Sequence, residues 1–379
     1  MLRWENYFMR SNGNFETFWK TYQEQNSPDI LFIMGMGFDP RTNLGIEAIF
    51  STKTKQRRDT ILLRYFKTID DIETPPVLEV KEHLDRLNSF LQNAGFPAPQ
   101  VKNTVFRSED DKSIASINAT YIIPDFSIFE KYSDIIIDIS AMPRGIFIPL
   151  INKCLDLVDQ YNAVNDKKKN LHVIVTENSK LDSFIEDRGT DETATYIHGF
   201  RIKEIGKTDE QKEVWIPILG ENQTNQFDKI KLELNPVEVC PILPFPCDDL
   251  RRGDKLIIEY QERLLNDNNE ELKNIVYADE SNPFQVYRLL NKTIQRYNES
   301  FALLAGCKII VSALSSKLLT VGAFMAAYEK KKEGLNIGIM HVESLRHELS
   351  SEYPDQKIEI AKHNKLFEIW LAGAPYNEA

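Results

Sequence analysis

With 379 residues, of which 42% are hydrophobic and 27% charged, the chain has the composition of an ordinary soluble globular protein and length for two domains or one large two-lobed domain. Its formal net charge of −11 argues against broad attraction to nucleic acid, so no direct duplex binding is expected, although a small anion responds to local charge first. No apolar run reaches the roughly 20 residues needed to cross a bilayer, and the start, Met1-Leu2-Arg3-Trp4-Glu5-Asn6, lacks the apolar core of a secretory signal; a cytoplasmic protein without membrane association is the expectation.

Residues 1–28 carry Trp4, Tyr7, Phe8, Phe15, Phe18, Trp19 and Tyr22 and read as a helix that caps the first lobe, or else as a docking element. From Asp29 the pattern alternates: strand Ile30–Met34, helix Leu44–Phe50, strand Thr60–Phe66, helix Val77–Ala94, a surface loop or hairpin over Asn103–Thr120, strand Asp134–Ile139, helix Gly145–Tyr161 and strand Leu171–Thr176. Strands that are continuous apolar runs point to a parallel sheet covered on both faces. Residues 29–190 therefore form a first Rossmann-like lobe. Next comes a polar junction over 191–235, holding an added strand Val214–Leu219 that could pair in a hairpin with Ile230–Leu234. Residues 236–379 repeat the logic as a second Rossmann-like lobe, with strands Pro241–Leu243, Asn274–Ala278, Lys308–Ala313 and Asn336–Met340 and helices Lys255–Leu265, Pro283–Asn298 and Leu318–Lys330. The fold class is α/β, two Rossmann-like lobes with mainly parallel sheets and the marks of a pseudo-duplication.

Four cysteines, Cys154, Cys240, Cys247 and Cys307, lack the paired spacing of a zinc site and read as buried thiols. No metal is expected. Asp279-Glu280-Ser281-Asn282-Pro283 reads as a helix cap.

Two phrases carry the candidate chemistry. Ile139-Ser140-Ala141-Met142-Pro143-Arg144 and Val311-Ser312-Ala313-Leu314-Ser315-Ser316-Lys317 each succeed a β-branched run and open a helix beside a cation. A strand, a tight turn and a helix start direct backbone N–H groups and the helix dipole at one point, which suits an anion. Asp138, Ser140 and Arg144 are candidate ligand contacts in the first half, and Ser312, Ser315, Ser316 and Lys317 in the second. After the first strand come Gly35, Gly37, Asp39 and Arg41: the glycines allow a tight turn near a ligand and Arg41 can fork onto phosphate. The third glycine and the ribose-binding acid of a dinucleotide fingerprint are missing, so no cofactor of that kind is expected. Asp249-x-Arg251 after Pro241–Leu243 matches Asp39-x-Arg41 in order, which adds Arg251 to the ligand set. Asp39, Asp138, His341 and Glu343 are the only acid–base candidates, and no catalytic order of residues emerges.

The two Ser-Ala-x phrases resemble the strand–turn–helix element of CRISPR-associated Rossmann-fold (CARF) sensors, and a chain with two such lobes is similar in plan to the SAVED domains of prokaryotic antiviral systems. Both phrases lack the Gly-Gly pair of that turn. The resemblance implies a small anionic nucleotide ligand held by Ser140, Arg144, Ser312 and Lys317 in a cleft between the lobes, with Gly37, Arg41 and Arg251 on its rim. It also implies a separate effector protein, and leaves a homo-oligomer open. Three functions fit these residues: a nucleotide-sensing regulatory protein of antiviral defence, an enzyme that cleaves glycosidic bonds or transfers phosphoribosyl groups, or a structural subunit of a defence complex.

Overall fold

The computed structural model describes residues 2–376 apart from 53, 204–210, 265–273 and 305. The chain forms two compact units, Met1–Arg188 with Leu345–Ala379, and Gly189–Ser344. It leaves the first unit once and returns to it, so the C-terminal segment expected in the second lobe belongs to the first. The expected junction over 191–235 belongs to the second lobe.

The first unit holds five parallel strands, β1 (Ile30–Met36), β2 (Arg58–Phe66), β3 (Gln100–Val105), β4 (Asp134–Asp138) and β5 (Asn170–Glu177), in the spatial order β3-β2-β1-β4-β5. This is the Rossmann order, which reverses direction between β1 and β4. Every residue of β1 and β4 is buried, as continuous apolar runs require when helices cover both faces. Helices α1 (Leu44–Phe50), α2 (Leu78–Ala94) and α3 (Arg144–Val164) make the crossovers. One face packs Ile30, Phe32 and Met34 against Ile46, Phe50, Leu87 and Leu91.

Two antiparallel strands extend this sheet beyond β5: Lys365–Ala372 pairs with β5, and Phe8–Ser11 pairs with Lys365–Ala372. The N-terminal helix Gly13–Asn26 buries Phe15 and Trp19 in the same core, and the Trp4 indole donates to the Leu371 carbonyl at 2.9 Å. The aromatic N-terminal segment therefore caps its lobe, with Trp4, Phe15 and Trp19 turned inward. Beneath it lies a buried ionic group. His172, fully enclosed, meets Glu368 at 2.8 Å and Asp134 at 3.2 Å; Arg10 pairs with Glu368 at 3.1 Å and the Tyr22 hydroxyl donates to Asp134 at 2.8 Å.

Gly189–Ser344 repeats the topology. Its parallel strands β6 (Lys212–Ile218), β7 (Ile242–Pro244), β8 (Val276–Ala278), β9 (Cys307–Ala313) and β10 (Ile337–His341) lie in the order β8-β7-β6-β9-β10. That is the same Rossmann order, with a short antiparallel strand, Thr195–Tyr196, beside β10 as Lys365–Ala372 lies beside β5. Helices α4 (Thr224–Leu234), α5 (Arg252–Leu264), α6 (Pro283–Ser300) and α7 (Lys317–Lys332) cover it.

Three expectations are corrected. Val214–Leu219 is not an added strand: it falls on β6, the central strand of the second sheet, even though Pro217, paired with Ser312, occupies a position where proline is unusual. Ile230–Leu234 is the end of α4, with Phe227, Ile230 and Leu234 buried at helical spacing. The loop or hairpin expected over Asn103–Thr120 holds only for its middle, where Arg107 and Ser113 form an antiparallel bridge; its two ends belong to β3 and to a helix, Ala115–Tyr121. The expected helix to Leu265 is described as far as Leu264; Leu265 lies outside the described residues. All four cysteines are buried free thiols. Among the described residues no helix is long and apolar enough to cross a membrane.

Candidate functional site

In an open parallel sheet, ligands bind beyond the carboxyl ends of the strands at the point where the strand order reverses. In the first unit that point is flanked by the ends of β1 and β4 and the loops that follow, which hold the candidates Gly35, Gly37, Asp39 and Arg41, and Asp138 and Ser140, with Arg144 opening α3. The two segments singled out in the sequence of this unit thus lie side by side at the reversal of strand order.

Within them, several side chains hold the loops rather than a ligand. Asp39 Oδ1 accepts the backbone N–H of Arg41 at 2.9 Å, and its carboxylate takes the Arg41 fork, Nε at 2.9 Å and Nη2 at 2.8 Å. Arg41 Nη1 reaches Asp182 at 2.9 Å. Burial opposes the charge on Arg41, but Asp39 and Asp182 outweigh it, and the guanidinium pKa is raised. Arg41 is only 3% exposed. Two carboxylates therefore occupy the fork that the sequence offered to phosphate, and Arg41 positions the loop. Thr42 Oγ1 reinforces the same turn by donating to the Asp39 carbonyl at 2.6 Å.

Asp138 Oδ1 accepts the Ser140 N–H at 2.9 Å, while its carboxylate packs where a side chain on Gly45 of α1 would stand. Ser140, 0% exposed, accepts the Thr176 N–H at 2.8 Å and so ties the loop after β4 to β5. Arg144 is the first residue of α3 and is partly exposed. Gly35 is a close-approach glycine. A Cβ there would collide with the Tyr65 hydroxyl and come within 3.1 Å of the Ala141 carbonyl and 3.0 Å of Met142 Cγ. Backbone packs on backbone at this point, whereas a Cβ on Gly37 would meet Ala141 only at an ordinary contact distance of 3.7 Å.

The second unit repeats the arrangement with different letters. Its reversal point lies between β6 and β9, and Gly220, after β6, has no room for a Cβ because the Leu314 carbonyl and Ser315 Cα stand there. Gly220 thus does for this lobe what Gly35 does for the first. Ser312, 0% exposed, accepts the Trp215 indole N–H at 3.0 Å. Ser315 is buried. Ser316 caps α7, its Oγ accepting the Leu319 N–H at 3.3 Å. Lys317, partly exposed, is the first residue of α7 as Arg144 is of α3.

The proposed match of Asp249-x-Arg251 to Asp39-x-Arg41 is out of step. The first strand of this sheet is β6, so Asp249 and Arg251 come after the second strand. The backbone turn is alike, with the Arg251 N–H donating to Asp249 at 3.0 Å, but the Asp249 carboxylate takes Lys255 at 2.6 Å and Arg251 is exposed. The guanidinium that is held here is Arg252, between Glu221 at 2.6 Å and Glu280 at 2.6 Å. Burial would raise the Glu221 pKa; Arg252 overrides it and holds the carboxyl low. Glu280 is thus an ion-pair partner, and the cap of α6 is Asn282, accepting from Phe284 and Gln285. His341, the last residue of β10, and Glu343 just beyond it are buried together, with 3.7 Å between Nε2 and Oε2.

Tyr65, Gly220 and Arg252 were missed by sequence reasoning. A tyrosine at a strand end and one arginine of a pair carry no local signal, whereas Gly220, directly after an apolar run, would have stood out once that run was recognised as the central strand.

No protein-family model matches the sequence, and no curated protein matches it. Among solved structures, a universal stress protein from Archaeoglobus fulgidus is similar at 9% identity over 82% of this chain and 94% of that one, with a TM-score of 0.23. UDP-GlcNAc 2-epimerase from Methanocaldococcus jannaschii is similar at 10% identity over 78% and 81%, with a TM-score of 0.19. Likenesses this low carry no argument, and the Rossmann-like assignment of each unit rests on its own strand order.

Proposed function

We propose that the chain is a ligand-sensing or regulatory protein that binds a nucleotide-derived anion at the carboxyl ends of its parallel sheets, as a component of prokaryotic antiviral defence of the CARF/SAVED kind. The observation that carries this reading is a repeated one: in each unit the helix after the fourth strand, at the reversal of strand order, begins with a partly exposed cation, Arg144 on α3 and Lys317 on α7. A cation at the first helical residue adds its charge to the N-terminal end of the helix dipole, so an anion gains from both. The rest of each loop is pinned by Asp39–Arg41 and Ser140 in one unit and by Ser312 and Ser316 in the other. Rigid loops limit the ordering cost of binding. In this reading a separate protein acts as effector, and the ligand is bound without being consumed.

A second reading, an enzyme acting on nucleotides or phosphorylated sugars, draws on the proximity of His341 and Glu343 at 3.7 Å. Incubation of the protein with ADP, cyclic tri- and tetra-adenylate and phosphoribosyl pyrophosphate separates the two. Intact ligand with a raised melting temperature supports sensing. Conversion to product that Asp138→Ala or His341→Ala abolishes supports the enzyme, and no change in either readout refutes both.

A further inference from the structure

The loop packing around Gly35 leaves one polar group unaccounted for. Tyr65, at the end of β2, lies across Gly35 with its hydroxyl in the space a Cβ would fill, next to Met142 and the Ala141 carbonyl that lead into α3. By strand alternation Gly35 faces away from Met34 and Met36, whose side chains join the opposite core. Tyr65 thus reaches beneath the reversal point from the α3 side of the sheet, its ring 6.0 Å from that of Phe106. The hydroxyl oxygen is buried and makes no hydrogen bond among the described residues. The same space at Gly35 is bounded by Met142 Cγ and the Ala141 carbonyl, and the Asp138 carboxylate is close enough to act on the phenol. A buried hydroxyl left unsatisfied is costly, and proteins rarely keep one without a use for it. Phenylalanine would fill the same hollow without that cost.

We infer that Tyr65 is a ligand-contacting residue of the first unit, whose hydroxyl donates a hydrogen bond to an anionic oxygen of the ligand at the reversal point between β1 and β4. This rests on the proposed anion site and adds a donor to it that charge alone does not supply. Burial and the Asp138 carboxylate push the phenol pKa up, so the group stays protonated and acts as a donor throughout the physiological range. Gly35 then has two duties: it lets the loop after β4 close on β1, and it makes room for the hydroxyl.

The test compares wild type with Tyr65→Phe, without ligand and in calorimetric titrations with ADP, cyclic tetra-adenylate and inorganic pyrophosphate. Without ligand, Tyr65→Phe is expected to melt at the same or a higher temperature, because no internal hydrogen bond is lost. A fall in melting temperature would mean that the hydroxyl is bonded within the protein, and would overturn the inference. With whichever probe wild type binds, Tyr65→Phe is expected to bind roughly tenfold more weakly, as loss of a hydrogen bond to a charged group does. Equal affinity overturns the role of Tyr65 and leaves the anion site standing. If wild type binds none of the probes, the anion site falls and Tyr65 with it. Gly35→Ala, which drives a methyl group into the hydroxyl's place, is expected to weaken binding at least as much; unchanged binding in that variant also contradicts the inference.

Discussion

At the scale of single residues, the two serines of the Ser-Ala-x phrases are buried hydrogen-bond acceptors inside the fold. Ser140 holds the Thr176 N–H and Ser312 the Trp215 indole. Removing either hydroxyl leaves a buried donor unpaired, so Ser140→Ala and Ser312→Ala are each expected to destabilise the protein by about 1–3 kcal/mol, read from urea unfolding. Ligand affinity is expected to stay within about twofold in either variant once binding is measured well below the melting temperature. Asp39→Ala strips Arg41 of its enclosed partner and leaves the more exposed Asp182 to hold it, and is expected to cost about 3–5 kcal/mol. The sequence showed these residues to be special without showing why. A serine or an Asp-x-Arg at a strand end has the same local signature whether it grips a ligand or its own chain, and only the position of the neighbouring strand decides between them.

At the scale of elements, the buried group that joins the N-terminal helix, β4, β5 and the C-terminal strand makes a pH-dependent contribution. His172 is faced by Asp134 and Glu368, which in turn hold Tyr22 and Arg10. Burial alone would lower the imidazole pKa; the hydrogen bonds and charges of the two carboxylates prevail and raise it. A raised folded-state pKa means that the stabilisation is complete below the unfolded value of roughly 6.5 and is lost as pH rises through the folded value. The stability difference between wild type and His172→Gln, measured by urea unfolding, is therefore expected to be larger at about pH 6 than at about pH 9; a difference that grows with pH would show the imidazole to be neutral in the fold. The same scale explains which elements were legible. β1, β4, β5 and β9 are apolar runs buried on both faces and stand out in the sequence. β3 is an edge strand of mainly polar residues, half of them exposed, and β6 carries Pro217. Neither looks like a strand of a parallel sheet until its neighbours are known.

At the scale of the whole molecule, the duplication suspected from two short phrases is carried instead by topology. Both units have the Rossmann order, a close-approach glycine at or just past the end of the first strand, and a cation at the start of the helix after the fourth. Asp249-x-Arg251 follows the second strand of its lobe and not the first, because Lys212–Ile218 is the central strand of that sheet and not an insertion. The return of Leu345–Ala379 to the first unit was beyond local reading, since its strand Lys365–Ala372 finds its partner β5 almost two hundred residues earlier in the chain. The central claim, that the cations opening α3 and α7 hold an anionic nucleotide ligand, is tested most directly by calorimetric titration of wild type, Arg144→Glu and Lys317→Glu with ADP and cyclic tetra-adenylate. Binding by wild type that weakens at least about tenfold in each charge reversal is the predicted result; affinity unchanged in both variants, or no binding by wild type, would contradict it.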